Sequence, residues 1–453
     1  MKKLLSVLSL ATIVGVGALS AQSNEVVIPG TEKNSQKSYL VTLDGEANEE
    51  NKERNEVQLN EVLNELAYKL PKDSYTIDYT YDTVMNGFAV KTYSGLENVI
   101  KSISHVASVE ESHSYSAPAE NLTTTTYQGG VRTSMTPEEV QAAKLVNYSA
   151  ETMHATGTDI TAAIKDVTGT ESASQGGKNV SVGIIDTGLF LNQVEGTEAR
   201  TAALATAEKG NYTLTAPAFK DFTDTSFNKL TAEKVAAVAG LKGSNYTRIN
   251  NKIPFSFDYA DNDGNVDPTG GQEASEHGTH VASMASANGT AFQGIAPNAQ
   301  VAVLKVFGNN AAGAGDTAII AALEDSAKLG LDVVNLSLGS DLIDYDDTPT
   351  NGVYQALEKC SEAGVIVNFA AGNSGKSSYS GSKGYSDWTT DTVETSITGS
   401  EAHMDEGANI VAASNPNRAF YSSIMTIGDT AVSYDDQVIN KTGSTIHYEK
   451  PLP

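Results

Sequence analysis

The 453-residue chain has a single cysteine, Cys360. An internal disulfide is excluded, so no bridged framework holds this fold. Bases are scarce. Thirty Lys and Arg against 56 Asp and Glu leave a formal net charge of −26. Nucleic acid and anionic membrane surfaces both need basic patches, so neither is expected as the main partner. The balance suits a soluble protein that must not aggregate outside a cell. Long apolar runs are absent after the N-terminus, and the run there, Leu4 to Leu19, is short of the roughly 20 residues of a spanning helix. With Lys2-Lys3 before it and Ala18-Leu19-Ser20 at its end, it reads as a signal peptide over residues 1–20, with a retained N-terminal anchor as the alternative.

What remains can bury a core. Apolar residues make up 40% and charged residues 19% of the chain, and the length allows about three domains. Cys360 sits late in a helical pattern, Val353 to Cys360, before a buried strand. It reads as a small packed side chain, with a reactive thiol as the alternative.

Residues 39–110, inside a domain bounded at 37–115, read as a small α/β module. Tyr39 to Leu43 is a strand. Glu49 to Leu70 is a charged helix with Val57, Leu59, Val62, Leu63, Leu66 and Leu70 at spacings of mostly three and four, stopped by Pro71. Tyr75–Tyr81 and Gly87–Val90 are strands, Gly95–Ile103 a helix and Val106–Glu110 a strand. The order βαββαβ is the ferredoxin-like arrangement, which by itself says nothing of function. Residues 116–178 are rich in Thr, Ser, Ala and Gly and read as linker and processing region, with helical stretches at 136–147 and 158–166.

From 179 to 453 the pattern is of buried strands alternating with helices. Val180 to Asp186, Val301 to Phe307, Leu331 to Leu338 and Val365 to Ala371 are near-continuous apolar strands. A helix capped by Asp316 runs to Leu329, and another covers Asn351 to Ala363. This predicts a parallel sheet with helices on both faces, whose chemistry gathers at the carboxyl ends of the strands. Residues 191–272 read as an insertion, with helical stretches near 197–208 and 231–241 and an acidic run from Asp258 to Asp267.

Three segments meet the strand-end rule. Asp186-Thr187-Gly188 ends the first strand. His277-Gly278-Thr279-His280-Val281-Ala282-Ser283 opens a helix of small residues. Ala370-Ala371-Gly372-Asn373 follows a buried strand. Taken singly, a turn Asp, a structural His, a metal pair His277/His280 and an ordinary glycine turn remain open. The two His are three apart, where the zinc metalloprotease pattern has four with Glu between. Taken in order, an Asp to orient, a His to move a proton and an amide to hold an oxyanion describe an acyl-transfer site.

On these residues, with Gly294-Ile295-Ala296-Pro297-Asn298-Ala299 and Val333-Val334-Asn335-Leu336-Ser337-Leu338-Gly339, residues 178–433 resemble the subtilisin-like serine proteases. The resemblance implies an α/β, subtilisin-like parallel sheet. It implies Asp186 as triad acid, His277 as general base, Asn373 as oxyanion donor and Ser337-Leu338-Gly339 as lining of a peptide-binding cleft. The first module looks like the family's inhibitory propeptide, which ends at Val106-Ala107-Ser108-Val109-Glu110-Glu111 and blocks the cleft until cut away. The insertion and Phe257-Asp258-Tyr259-Ala260-Asp261 look most like lactocepin-type cell-envelope proteinases of Gram-positive bacteria. Polypeptide substrates, the chain's own propeptide in the cleft, and a secreted or cell-envelope location are the implied partners and place.

One element of the family pattern is missing. No Gly-Thr-Ser-Met-Ala stretch follows Asn373. Thr133-Ser134-Met135 lies in the linker, ahead of Asp186, and Thr442-Gly443-Ser444-Thr445 leads into a strand. Two expectations stand side by side. One is an endopeptidase precursor represented here without its serine segment. The other is a non-catalytic peptide-binding or inhibitory protein. No cofactor is expected. Calcium has carboxylates available at Asp261 to Asp267, but Gly264 is out of register for a helix-loop-helix site, and a solvated loop is the simpler reading.

Overall fold

The structure, a computed structural model, describes residues 36–48, 50–115, 176–210, 216–268, 276–290, 293–309, 313–339 and 352–370, with strands at 408–411, 423–427 and 430–434. The segment expected to be a signal peptide, nearly all of the 116–178 region with its two predicted helices, Ser134, Asn373 and Ser444 lie outside the described residues.

The first module contains β1 (Lys37–Leu43), α1 (Lys52–Lys69), β2 (Tyr75–Tyr81), β3 (Gly87–Thr92), α2 (Glu97–Lys101) and β4 (Val106–Glu111). Its strands form an antiparallel sheet in the order β2-β3-β1-β4. Leu70, forced into extended backbone by the following Pro71, ends α1. Val62, Leu66 and Leu70 pack with Phe88, Val90 and Ile100. Val57 is exposed instead, outside the buried stripe. α2 is shorter than its sequence pattern because Gly95 holds φ +99, a turn conformation that no helix continues.

Beyond a two-residue strand, β5 (Ser114–Tyr115), the second body is built on β6 (Ser181–Asp186), α3 (Glu198–Gly210), α4 (Ala232–Ala236), β7 (Phe255–Asp258), α5 (His277–Ser286), β8 (Gln300–Lys305), β9 (Ala314–Gly315), α6 (Asp316–Leu329), β10 (Val333–Leu336), α7 (Gly352–Glu362), β11 (Ile366–Ala370) and β12 (Ala408–Val411). Among the described residues six strands pair in parallel in the order β12-β11-β10-β6-β8-β7. β13 (Ser423–Ile427) and β14 (Thr430–Tyr434) pair antiparallel.

Strand alternation sorts the core onto two faces. Val182, Ile184, Val301 and Val303 face one cluster with Ala282 of α5. Ile185, Ala302 and Leu304 face another with α6 and α7. Both faces are therefore covered, which is why β6 and β8 are buried at every position. Gly330, in left-handed backbone at φ +62, closes α6. Cys360 is fully buried with Sγ 3.7 Å from Leu323 O, and burial pushes its thiol up to about 12.

Two local expectations change. β7 lies inside the 191–272 stretch yet forms an edge of the main sheet, so that part is core. At the end of β7, Asp258 is buried against Lys305, because a strand-end carboxylate in the core needs a cation. Asp316 does not cap α6. Gly315 holds the cap position and Asp316 is the first helical residue, with its carboxylate turned to another partner.

Candidate active site

The end of β6 and the start of α5 are locked together by short residues. Thr187 Oγ1 accepts the Gly278 N–H at 2.9 Å, and Thr279 Oγ1 accepts the Phe190 N–H at 2.9 Å. Gly278 must be glycine, because a Cβ there would stand 2.4 Å from Gly188 O. Gly188 holds φ +107, and a Cβ there would stand 2.3 Å from Val266 O. These contacts are the physical content of the Asp-Thr-Gly and His-Gly-Thr triplets.

They bring His277 to Asp186. His277 Nδ1 lies 2.8 Å from Asp186 Oδ1, and both side chains are buried, at 5% and 1% exposure. Asp186 Oδ1 also accepts the Thr187 N–H at 2.7 Å. An ionised carboxylate only accepts, so Nδ1 carries the proton and Nε2 the lone pair. His280, three residues on, is exposed. Among the described residues no group of three or more His, Cys, Asp or Glu is placed to hold a metal. Carboxylates of the acidic run accept backbone N–H groups: Asp261 that of Asn309, Asp263 that of Asn265 and Asp267 that of Leu191.

The neighbouring strand ends frame the pair. Lys305 of β8 stands opposite Asp186 and is held by Asp258 at 2.5 Å and by Phe307 O. Leu336 of β10 pairs with Ile185, which sets Ser337, Leu338 and Gly339 just past the sheet on the other side of Asp186. Asn335 Nδ2 donates to Ser337 Oγ at 2.9 Å.

The first module closes over this body. Its tail, β5, runs antiparallel along β9, with Ser114 opposite Gly315 and Tyr115 opposite Ala314. Gly313 makes room for it, since a Cβ there would be 2.3 Å from Ser114 Oγ. Higher up, buried Glu324 of α6 accepts the N–H groups of Asp82, Thr83 and Val84 at 3.0, 3.2 and 3.1 Å. Lys242 and Lys328 each lie 3.1 Å from Glu324 and also reach Asp82. Burial works to raise the Asp82 carboxyl, but these two ammonium groups and its hydrogen bonds outweigh it and hold the group below its usual value. For Lys328, burial works downward, and Glu324 with Asp82 lifts it above the usual lysine value. Tyr79 and Tyr81 donate their hydroxyls to Tyr259 O and Thr317 O at 2.6 and 2.8 Å.

The Subtilase family description matches residues 177–440. This chain belongs to the subtilase family. Residues 38–118 match Peptidase inhibitor I9, so the first module is this subtilase's propeptide domain. The PI-type proteinase of Lactococcus lactis subsp. cremoris is 38% identical over 165 residues, 35% of this chain and 8% of that protein. Subtilisin DY of Bacillus licheniformis is 35% identical over 152 residues, 33% of this chain and 47% of that protein. The chain thus spans less than half the length of either relative. The epidermin leader peptide processing serine protease of Staphylococcus aureus superposes with a TM-score of 0.38 at 17% identity, covering 75% of this chain and 61% of that one.

The structure joins Asp186 and His277 and sets Ser337–Gly339 beside them, while Asn373 falls outside the described residues. Neither Gly313-Ala314-Gly315 nor Glu324 stands out in the sequence as a binding residue, and Asp316 reads there only as a helix cap. The glycine–small–glycine run just ahead of a helix was the one available signal for the first of these. Glu324 had none, since its partners in the first module lie 240 to 242 residues away.

Proposed function

We propose that this subtilase is a serine endopeptidase, made as a precursor inhibited by its own propeptide and acting outside the cell or at the envelope of a Gram-positive-type bacterium. The buried Asp186–His277 contact at a central strand end carries the reading. Asp186 fixes the imidazole with its lone pair on Nε2 and stabilises the imidazolium. A serine Oγ attacks the scissile carbonyl carbon while His277 Nε2 takes its proton. The Asn373 amide donates to the oxyanion. The tetrahedral adduct then collapses, His277 protonates the departing amine, and water releases the acyl group by the reverse sequence. β9 offers one strand edge to an extended polypeptide and Ser337-Leu338-Gly339 lines the cleft opposite. No cofactor enters the reaction.

A second reading is peptide capture without hydrolysis, for which the antiparallel pairing of the tail β5 with β9 supplies a binding edge. Expression of the whole reading frame separates the two. After removal of the propeptide, hydrolysis of an unfolded protein substrate supports the endopeptidase. Tight peptide binding with no cleavage supports capture and contradicts the reaction.

A further inference from the structure

The propeptide tail shows how an extended chain is read on this body. Its backbone pairs with β9, a contact indifferent to sequence. Selection must come from what its side chains meet. His113 and Tyr115, two apart, share one face of the tail. Tyr115 is fully buried, in the same apolar cluster as Ala314, Phe307, Ala318 and Leu338. His113 meets Asp316, whose Oδ2 accepts the His113 N–H at 2.7 Å and lies 3.0 Å from its Nδ1. The Asp316 side chain is 3% exposed, and its Oδ1 is buried with no hydrogen-bond partner among the described residues. Ser112 Oγ accepts the Asp316 N–H at 3.1 Å, which fixes the carboxylate's backbone against the incoming strand.

A carboxylate so enclosed keeps an unused acceptor beside the ligand. A basic side chain at the His113 position, itself 59% exposed, reaches it from the open side, whereas an acidic one sets like charges together. We propose that Asp316 is a specificity-determining residue, selecting extended peptides with a basic side chain two residues ahead of an aromatic one. The inference rests on the proposed reading that substrates occupy the edge now held by the tail.

The tail tests it in the full chain. Amide hydrogen exchange at Ser114 and Tyr115 is measured for His113→Lys, His113→Glu, Asp316→Lys and the double variant His113→Glu/Asp316→Lys. His113→Lys is expected to exchange as slowly as the parent. His113→Glu is expected to exchange about five- to ten-fold faster, the size of one half-exposed ion pair. The double variant should recover much of the protection lost in either single one. Fluorescent peptides containing Lys-Ser-Tyr or Glu-Ser-Tyr are then bound to the loosened His113→Glu chain. The lysine peptide should bind about five-fold tighter or more. Added to that chain, Asp316→Asn should level the two and Asp316→Lys invert them. Equal affinities, an order untouched by Asp316→Lys, or no binding of either peptide overturns the proposal. These are binding readouts, so absent hydrolysis with the charge order intact counts against the reaction alone. Hydrolysis without the charge order counts against Asp316 alone.

Discussion

His277 Nδ1 stands 2.8 Å from Asp186 Oδ1, although the two residues are 91 positions apart in the chain. The carboxylate decides which ring nitrogen holds the proton. Asp186→Asn replaces an acceptor-only group with one that also donates, and the wrong tautomer becomes available. Turnover of the active protease is expected to fall by about four orders of magnitude, the scale of losing the acid in Ser-His-Asp sites, with little change in KM. Steady-state kinetics on a peptide substrate measure it.

Gly278→Ala tests the close packing that makes this contact. Its Cβ would stand 2.4 Å from Gly188 O and 2.9 Å from Gly188 N, both backbone atoms that cannot rotate away. A loss of about 1–3 kcal/mol in unfolding free energy is expected, typical of overpacking. Chemical denaturation of the full chain reads it. An unchanged midpoint would contradict the geometry.

Glu324→Gln keeps the shape of the acceptor for three propeptide N–H groups and removes its charge. Charge-assisted hydrogen bonds are worth about twice neutral ones. The propeptide is expected to bind the processed body roughly 10- to 100-fold more weakly, mostly through faster dissociation. Surface plasmon resonance with separately added propeptide checks this.

The same clamp gives a pH dependence. The Asp82 carboxyl is held below its usual value in the docked state. Its contribution to docking is therefore complete above the undocked carboxylate pKa of about 4 and is lost as pH falls through the lower, docked value. Propeptide release should rise below about pH 4, and Asp82→Asn should flatten that acid limb. Dissociation rates measured between pH 3 and 7 decide it.

Much of this was legible in the chain. The apolar strand ending in Asp186, the small-residue helix opened by His277 and the βαββαβ order of the first module are local signals, because burial on two faces, tight helix packing and a Pro stop each leave a mark within ten residues or so. The contacts that hold the propeptide leave none. Glu324 looks like any helix carboxylate until Asp82, Thr83 and Val84 arrive from another domain. Asp316 looked like a cap because Asp before a helix usually is one, but here Gly315 takes that place and the carboxylate serves the tail. β7 was hidden inside a stretch read as insertion because a four-residue strand at a sheet edge carries almost no periodic signal.

The central claim is that the Asp186–His277 pair serves an attacking serine. A fluorophosphonate probe tests it on the protein from the whole reading frame, freed of its propeptide, with the adduct located by peptide mass spectrometry. The account predicts one labelled serine, and labelling slowed by several orders of magnitude in His277→Ala. Absence of an adduct, or an adduct formed at the same rate without His277, would contradict it.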